Sequence, residues 1–167
     1  MIKKIKWFVN DLTNYIYKKE HNQEQSLQVG GIMKIINKIK RSPTLFQHWT
    51  RTEILIVDEV SMLSVKLFLL LDKIGRELRH CDRPFGGIQI IFSGDFYQLP
   101  PVGDSSQILT KKFCFECKEW NQTFHPSCQI QLKKIYRQMD DVFSTILNQI
   151  REGCITRSTY LKLMEMN

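Results

Sequence analysis

Apolar residues recur along this chain in two different rhythms. Over residues 53–57 (EILIV) and 88–92 (IQIIF) they run almost unbroken, the pattern of short strands covered on both faces. Between these runs Leu67, Leu70, Leu71, Ile74 and Leu78 recur at three- and four-residue spacing, which predicts a helix with one apolar stripe. Ser64 stands where its N-cap belongs. Arg76 and Arg79 fall in its last turn, where cations complement the helix dipole. Pro84, Gly86 and Gly87 then break the chain before the second run. Strand, helix and strand make one βαβ unit with parallel strands.

The flanking segments are less regular. Residues 1–25 are rich in Lys, Ile, Asn and aromatics without a clean period; they read as a helix or as a divergent leader. Gly30-Gly31 predicts a break, after which Ile32, Ile35, Ile36 and Ile39 take helical spacing with Lys34, Lys38 and Lys40 between them. Such a helix has either a solvated basic face or a DNA-contacting one. Residues 129–135 alternate apolar and polar positions, predicting a further strand. Asp140 is placed to cap a helix carrying Val142, Phe143, Ile146, Leu147 and Ile150, closed by Gly153. A short helix follows from about Ser158. No internal repeat or low-complexity linker is present.

The length, 167 residues, suits one domain with a real core. Composition is ordinary for a globular protein, but 24 Lys and Arg against 17 Asp and Glu leave a net charge of +7. That excess favours a polyanionic partner such as nucleic acid. No apolar run approaches the roughly 20 residues that span a bilayer. The basic N-terminus lacks a long apolar stretch and a small-residue cleavage site, so it does not read as a secretory signal. Five cysteines, an odd number, fit a reduced intracellular compartment. Cys114, Cys117, His125 and Cys128 offer four potential zinc ligands in a short span, at a spacing that matches no common zinc module; the thiols read as small buried fillers in preference to a zinc site. Trp49 and Trp120 read as core or partly buried packing in preference to base-stacking platforms.

The candidate chemistry lies at the strand ends. ILIVDEVSM puts Asp58 and Glu59 just after the first apolar run, and GDFYQLPPV puts Asp95 and Gln98 just after the second. In open α/β sheets ligands bind outside the carboxyl ends of the strands. A carboxylate fixed there can hold Mg²⁺, and a following Glu can orient and deprotonate a water for phosphoanhydride hydrolysis. Asp58-Glu59 alone reads equally as a solvated turn; the second loop shifts the balance. There Gly94 allows a tight exit, Gln98 supplies an amide able to touch a phosphate, and Pro100-Pro101 stiffens the loop.

LIVDEVSM, RPFGGIQIIFSGDFYQLPPV and IYRQMDDVF together resemble the petite-integration-frequency family of DNA helicases, superfamily-one motors related to the RecD helicase, over roughly residues 42–155. The resemblance implies an α/β, RecA-like P-loop NTPase motor domain with a parallel sheet, lacking its P-loop strand. It implies a leader over 1–25, a partial first motor domain over 26–128 and the entry to a second over 129–167. ATP and Mg²⁺ are the implied cofactors, single-stranded DNA or DNA junctions the partners, and the nucleus or mitochondrion the setting in a eukaryote. Asp58 (the magnesium ligand) and Glu59 (the water activator) would form the Walker B pair. Asp95, Gln98 and Arg137 would face the nucleotide, with Gln98 sensing the γ-phosphate and Arg137 reaching it across the cleft. One departure is plain: no G-x-x-x-x-G-K-[ST] stretch occurs in the 167 residues. SLQVGGI, residues 26–32, is a degraded echo of the first DNA-contact motif. The chain on its own is therefore expected to hydrolyse ATP negligibly.

Overall fold

The computed structural model describes residues 29–103, 106–134, 136 and 140–165. The chain divides into two units, with the division between Pro126 and Ser127.

Among the described residues the first unit begins with two helices, α1 (Val29–Arg41) and α2 (Pro43–Arg51), ahead of strand β1 (Ile54–Val57). Gly30 and Gly31 lie inside α1, not at a break. Two glycines there cost helix propensity, but the isoleucine period beyond them is buried, with Ile36 and Ile39 at 0% and 2% exposure. The sequence reading did not anticipate α2. Its start follows from Ser42 at the N-cap and Pro43 in the first turn, where a missing N–H costs nothing. Leu45, Phe46 and Trp49 then turn toward the core.

Helix α3 (Val65–Arg79) begins at Ser64, whose Oγ accepts the backbone N–H of Leu67. Its stripe of Leu67, Phe68, Leu70, Leu71, Ile74 and Leu78 is buried. Strand β2 (Gln89–Phe92) pairs parallel with β1, with Ile54 opposite Gln89 and Val57 opposite Phe92. The expected βαβ order with parallel strands is thus present. Each strand is one residue shorter than the apolar run that announced it. Leu55 and Val57 are buried, with Ile90 and Phe92 packed against the same core.

Between α3 and β2 the PFGG turn (Pro84–Gly87) is seated directly on the helix. Phe85 is fully buried and left-handed, at φ 52°. Asp72 Oδ1 accepts its N–H at 2.7 Å, and Oδ2 accepts Arg76 Nε at 2.8 Å. Arg79 Nε donates to Gly86 O, while its terminal nitrogen reaches the carbonyls of Trp49, Thr50 and Thr52. One guanidinium thereby ties the end of α2 to the turn that launches β2.

After β2 come a short helix α4 (Ile108–Lys111) and α5 (Lys118–Thr123). Chain 112–114 returns beside 63–65: Val65 N donates to Lys112 O and Cys114 N to Leu63 O, each at 3.1 Å. Phe92, Trp120 and Phe124 form an aromatic cluster against Phe68, so Trp120 and the buried Trp49 pack in the core as expected.

In the second unit the predicted strand over 129–135 is not found among the described residues, Gln129 to Lys134. Ile130 and Leu132 are 83% and 90% exposed; alternation makes a strand only where a ladder partner and a surface to cover exist. The later expectations hold. Asp140 Oδ1 caps helix α6 (Asp141–Glu152) by accepting Val142 N and Phe143 N. Gly153 closes it at φ 69°, with Gly153 N bonded to Ile150 O and Cys154 N to Gln149 O, a Schellman arrangement. Helix α7 (Arg157–Glu165) follows.

Candidate functional site

Parallel pairing carries the exits of β1 and β2 to the same edge of the sheet, so Asp58-Glu59 and Gly94-Asp95 emerge as neighbours. The ladder continues past the strands: Ser93 N donates to Val57 O at 2.9 Å, and Val60 N to Ser93 O at 3.0 Å. Gly94 makes the approach possible. A Cβ there would stand 2.7 Å from Val60 N and 3.3 Å from the Glu59 carbonyl carbon. Any side chain at 94 would therefore push the two loops apart.

Each acidic loop has its own internal brace. Asp58 Oδ1 accepts Glu59 N at 3.0 Å, and both side chains are exposed to solvent. Glu59 is left-handed at φ 54°, ψ 45°, a conformation uncommon outside Gly and Asn. The turn over Val60–Met62 follows at once and buries Val60 and Ser61. In the second loop Asp95 Oδ1 accepts Tyr97 N at 3.0 Å and Asp95 O accepts Gln98 N at 3.0 Å, so Asp95 also serves as the turn's organiser. Phe96 anchors the loop inward against Phe113, Phe115 and Trp120, with ring centroids 4.7–6.2 Å apart. Tyr97 and Gln98 are left exposed.

Four of the five residues singled out from sequence, Asp58, Glu59, Asp95 and Gln98, thus sit on two adjoining loops at one sheet edge. Arg137 lies outside the described residues. The sequence reading missed Ser93 and Val60, whose backbone bond joins the loops, and the left-handed turn at Glu59. The Gly94 contact carried a signal, a glycine between strand end and acid, although which backbone it would meet was not legible.

An exposed carboxylate on a braced turn is a hard oxygen donor of the kind Mg²⁺ takes, usually one or two at a time with waters completing the shell. Asp58 fits that description. The cysteines do not extend the site. Cys114 is buried, its Sγ 3.9 Å from Val60 O, and burial pushes its thiol up to about 12. Burial also raises Cys117. Among the described residues no group of three or more His, Cys, Asp and Glu side chains is placed to hold a metal.

The family model for PIF1-like helicases matches residues 25–160. This chain belongs to that family. It is 41% identical over 125 residues to the ATP-dependent DNA helicase RRM3 of Saccharomyces cerevisiae, covering 75% of this chain and 17% of that protein. It is 38% identical over 115 residues to the human ATP-dependent DNA helicase PIF1, covering 69% of this chain and 17% of that one. The crystal structure of a Pif1 helicase from Candida albicans superposes with a TM-score of 0.71 at 38% identity, over 84% of this chain and 30% of that one. A Bacteroides Pif1 helicase crystallised with ADP-AlF3 and single-stranded DNA gives 0.63 at 34% identity, over 71% and 28%. The architecture is accordingly the α/β, RecA-like fold of those helicases. The chain spans about a sixth of the length of these curated relatives.

Proposed function

We propose that the chain supplies the Walker B and third-motif segment of an ATP-dependent DNA helicase, one that couples ATP hydrolysis to five-prime to three-prime unwinding in DNA repair, recombination or telomere maintenance. The observation that carries this is the joining of the Asp58-Glu59 turn to the Gly94–Gln98 loop by Val60 N and Ser93 O at 3.0 Å. Bound Mg²⁺ would neutralise phosphate charge, and Asp58 is the residue to hold it. Glu59 accepts the proton of the attacking water; its fixed left-handed backbone aims the carboxylate without a flexing turn. Gln98, exposed on the braced neighbouring loop, reads the state of the terminal phosphate. Asp95 keeps that loop folded beside the nucleotide. Arg137 is assigned to the developing transition-state charge, a role suited to a guanidinium.

DNA is the proposed substrate, single-stranded or at junctions, and a eukaryotic host would hold the protein in its nucleus or mitochondria. No described helix is long and apolar enough to cross a membrane. We also propose residues 26–128 as part of a first motor domain and 129–167 as the entry to a second. Residues 1–25 remain assigned to a leader.

The test is a graft: residues 25–160 replace the matching segment of the yeast RRM3 helicase, and DNA-dependent ATP hydrolysis and unwinding are measured. Activity that Glu59→Gln abolishes is the expected result. A folded chimera that binds nucleotide yet hydrolyses none would sink the reading. That outcome would favour a non-catalytic DNA- or partner-binding module.

A further inference from the structure

The loop that carries Gln98 is fastened to its unit at its base and again near its tip. At the base, Ser93 O accepts Val60 N at 3.0 Å. Beyond Gly94 and Asp95 the chain turns outward, and of residues 96–100 only Phe96 is not exposed. Its ring packs back against the core. Phe96 is therefore the side chain that holds the outer part of the loop, and it lies two residues from Gln98.

What receives Phe96 is an aromatic slot. Phe113 and Phe115 stand nearly parallel, with ring centroids 5.3 Å apart and planes at 11°. Phe96 meets both edge-on, at 5.8 Å and 84° to Phe113 and at 4.7 Å and 78° to Phe115. Edge-to-face pairs at such separations are favourable because the positive edge of one ring meets the negative face of the other. Two such contacts from parallel rings set the tilt of Phe96 as well as its depth. Burial alone does not explain the slot: Phe115 is 40% exposed, while Phe68, Phe85, Phe92 and Trp120 pack against one another without it.

The slot is in turn tied to the other acidic loop. Phe113 forms an antiparallel bridge with Ser64, flanked by the bonds from Val65 N to Lys112 O and from Cys114 N to Leu63 O. Leu63 N donates to Val60 O at 3.0 Å, and Met62 N to Glu59 O at 3.1 Å. On the far side Glu116 Oε2 accepts Phe113 N at 2.6 Å. The constraints close a circuit. It runs from Glu59 through residues 60–65 to Phe113 and Phe115, across to Phe96, and back through Gly94 and Ser93 to Val60. One hydrogen bond at the base leaves the outer loop free to pivot; the slot removes that freedom.

We propose that Phe113 and Phe115 are positioning residues: by gripping Phe96 they fix the Gln98 amide relative to the Glu59 carboxylate. This rests on the reading of Glu59 and Gln98 as parts of a nucleotide-hydrolysing site. It gives neither ring a contact with the nucleotide; both act through Phe96.

Two measurements on Phe115→Ala test it. In the 167-residue chain, amide hydrogen exchange followed by NMR reads the loop directly. Exchange at Gln98 N, which is bonded to Asp95 O, should quicken by about tenfold as the loop opens locally, while Val60 N and Ser93 N exchange as in the parent. In the grafted helicase, kcat for ATP hydrolysis should fall about tenfold with KM within about twofold, the mark of a misplaced group rather than a lost binding contact. Phe115→Tyr keeps the ring and should restore both readouts. Phe115→Leu keeps apolar bulk without the ring plane and should restore neither. Unchanged exchange at Gln98, quickening at Val60 and Ser93 as large as at Gln98, a raised KM with kcat unchanged, or rescue by leucine equal to that by tyrosine would each overturn the proposal. If the parent graft hydrolyses no ATP, the helicase reading fails, and the exchange experiment by itself decides whether the rings hold the loop.

Discussion

Asp72 Oδ1 accepts the backbone N–H of Phe85 at 2.7 Å, so the middle of α3 holds in place a fully buried residue in the left-handed conformation. Phe85 packs edge-on against Phe68 at 5.3 Å and Phe92 at 6.4 Å. The carboxylate thus determines where β2 begins. Asp72→Ala leaves the buried Phe85 N–H and Arg76 Nε without their acceptor, Arg76 keeping its bond to Asp82 O, and should destabilise the chain by about 2–3 kcal/mol. Asp72→Asn keeps one acceptor and should lose less. Equilibrium urea unfolding measures both; an alanine variant as stable as the parent would remove Asp72 from this role.

Gly75 and Gly86 make a sharper test because the usual rule is reversed. Replacing a mid-helix glycine by alanine ordinarily stabilises by about 0.5–1 kcal/mol. At Gly75 a Cβ would lie 2.6 Å from Phe85 O, and at Gly86 2.3 Å from Gly75 O. Both contacts are with backbone, which cannot turn aside. Gly75→Ala should therefore destabilise, by about 1–3 kcal/mol as for an overpacked core. Gly86→Ala should be worse, since its φ is +65° as well. A rise in thermal midpoint for Gly75→Ala would contradict the close helix–turn packing.

Gly94→Ala probes the joint between the acidic loops. Its Cβ would meet Val60 N at 2.7 Å, breaking the bond to Ser93 O and shifting Glu59. In the grafted helicase, hydrolysis should fall by an order of magnitude or more while nucleotide affinity changes little, because small misplacements of a catalytic group can reduce rate about a hundredfold. An equal loss of affinity and rate would mean general damage to the fold.

The thiols should separate by environment. Cys81 is lowered from the ordinary thiol value of 9.0 chiefly by a hydrogen bond from the Arg83 side chain. Cys128 and Cys154 are exposed, whereas Cys114 is buried and pushed up to about 12. A disulfide reagent at neutral pH should label Cys81, Cys128 and Cys154 in the native chain and Cys114 only on unfolding. The native state holds the Cys114 proton more tightly than the unfolded state. Its contribution to stability is thus complete below about pH 9 and lost as pH rises toward 12. Native labelling of Cys114 at the rate of Cys154 would show that the thiol is accessible.

The legible parts of the chain were those where local pattern and tertiary burial agree. The stripe from Leu67 to Leu78 and the caps Ser64, Asp140 and Gly153 each name a partner within a few residues. The two apolar runs were legible as strands that pair with each other, although β2 leaves Gln89 and Ile91 exposed where both faces were expected to be covered. Gly30-Gly31 misled because burial of Ile36 and Ile39 outweighs a weak local preference. Helix α2 had a signal, Ser42-Pro43 before Leu45, Phe46 and Trp49, that is short and carries few charges to mark its outer face. Residues 129–134 alternate as a strand does but have no ladder to join. At the candidate site residue types were readable, whereas the Val60–Ser93 bond and the left-handed Glu59 depend on how two loops meet.

That left-handed Glu59 invites a final comparison between stability and chemistry. At φ 54°, ψ 45° a residue with a Cβ is strained by about 1 kcal/mol, and glycine is not. Glu59 is exposed, and its backbone N–H is already bonded to Asp58 Oδ1, so removing the side chain loses little packing. Glu59→Gly should leave the chain as stable or stabilise it by up to about 1 kcal/mol, relief of strain offsetting the entropy gained by the unfolded chain. In the grafted helicase the same substitution, like Glu59→Gln, should abolish hydrolysis. A residue that weakens the fold where it stands, yet cannot be replaced without loss of turnover, is held there by function. Urea unfolding of the chain beside ATPase assays of the graft decides the matter. A Glu59→Gly protein that is both less stable and fully active would remove Glu59 from the chemistry and make its backbone strain a feature of the turn alone.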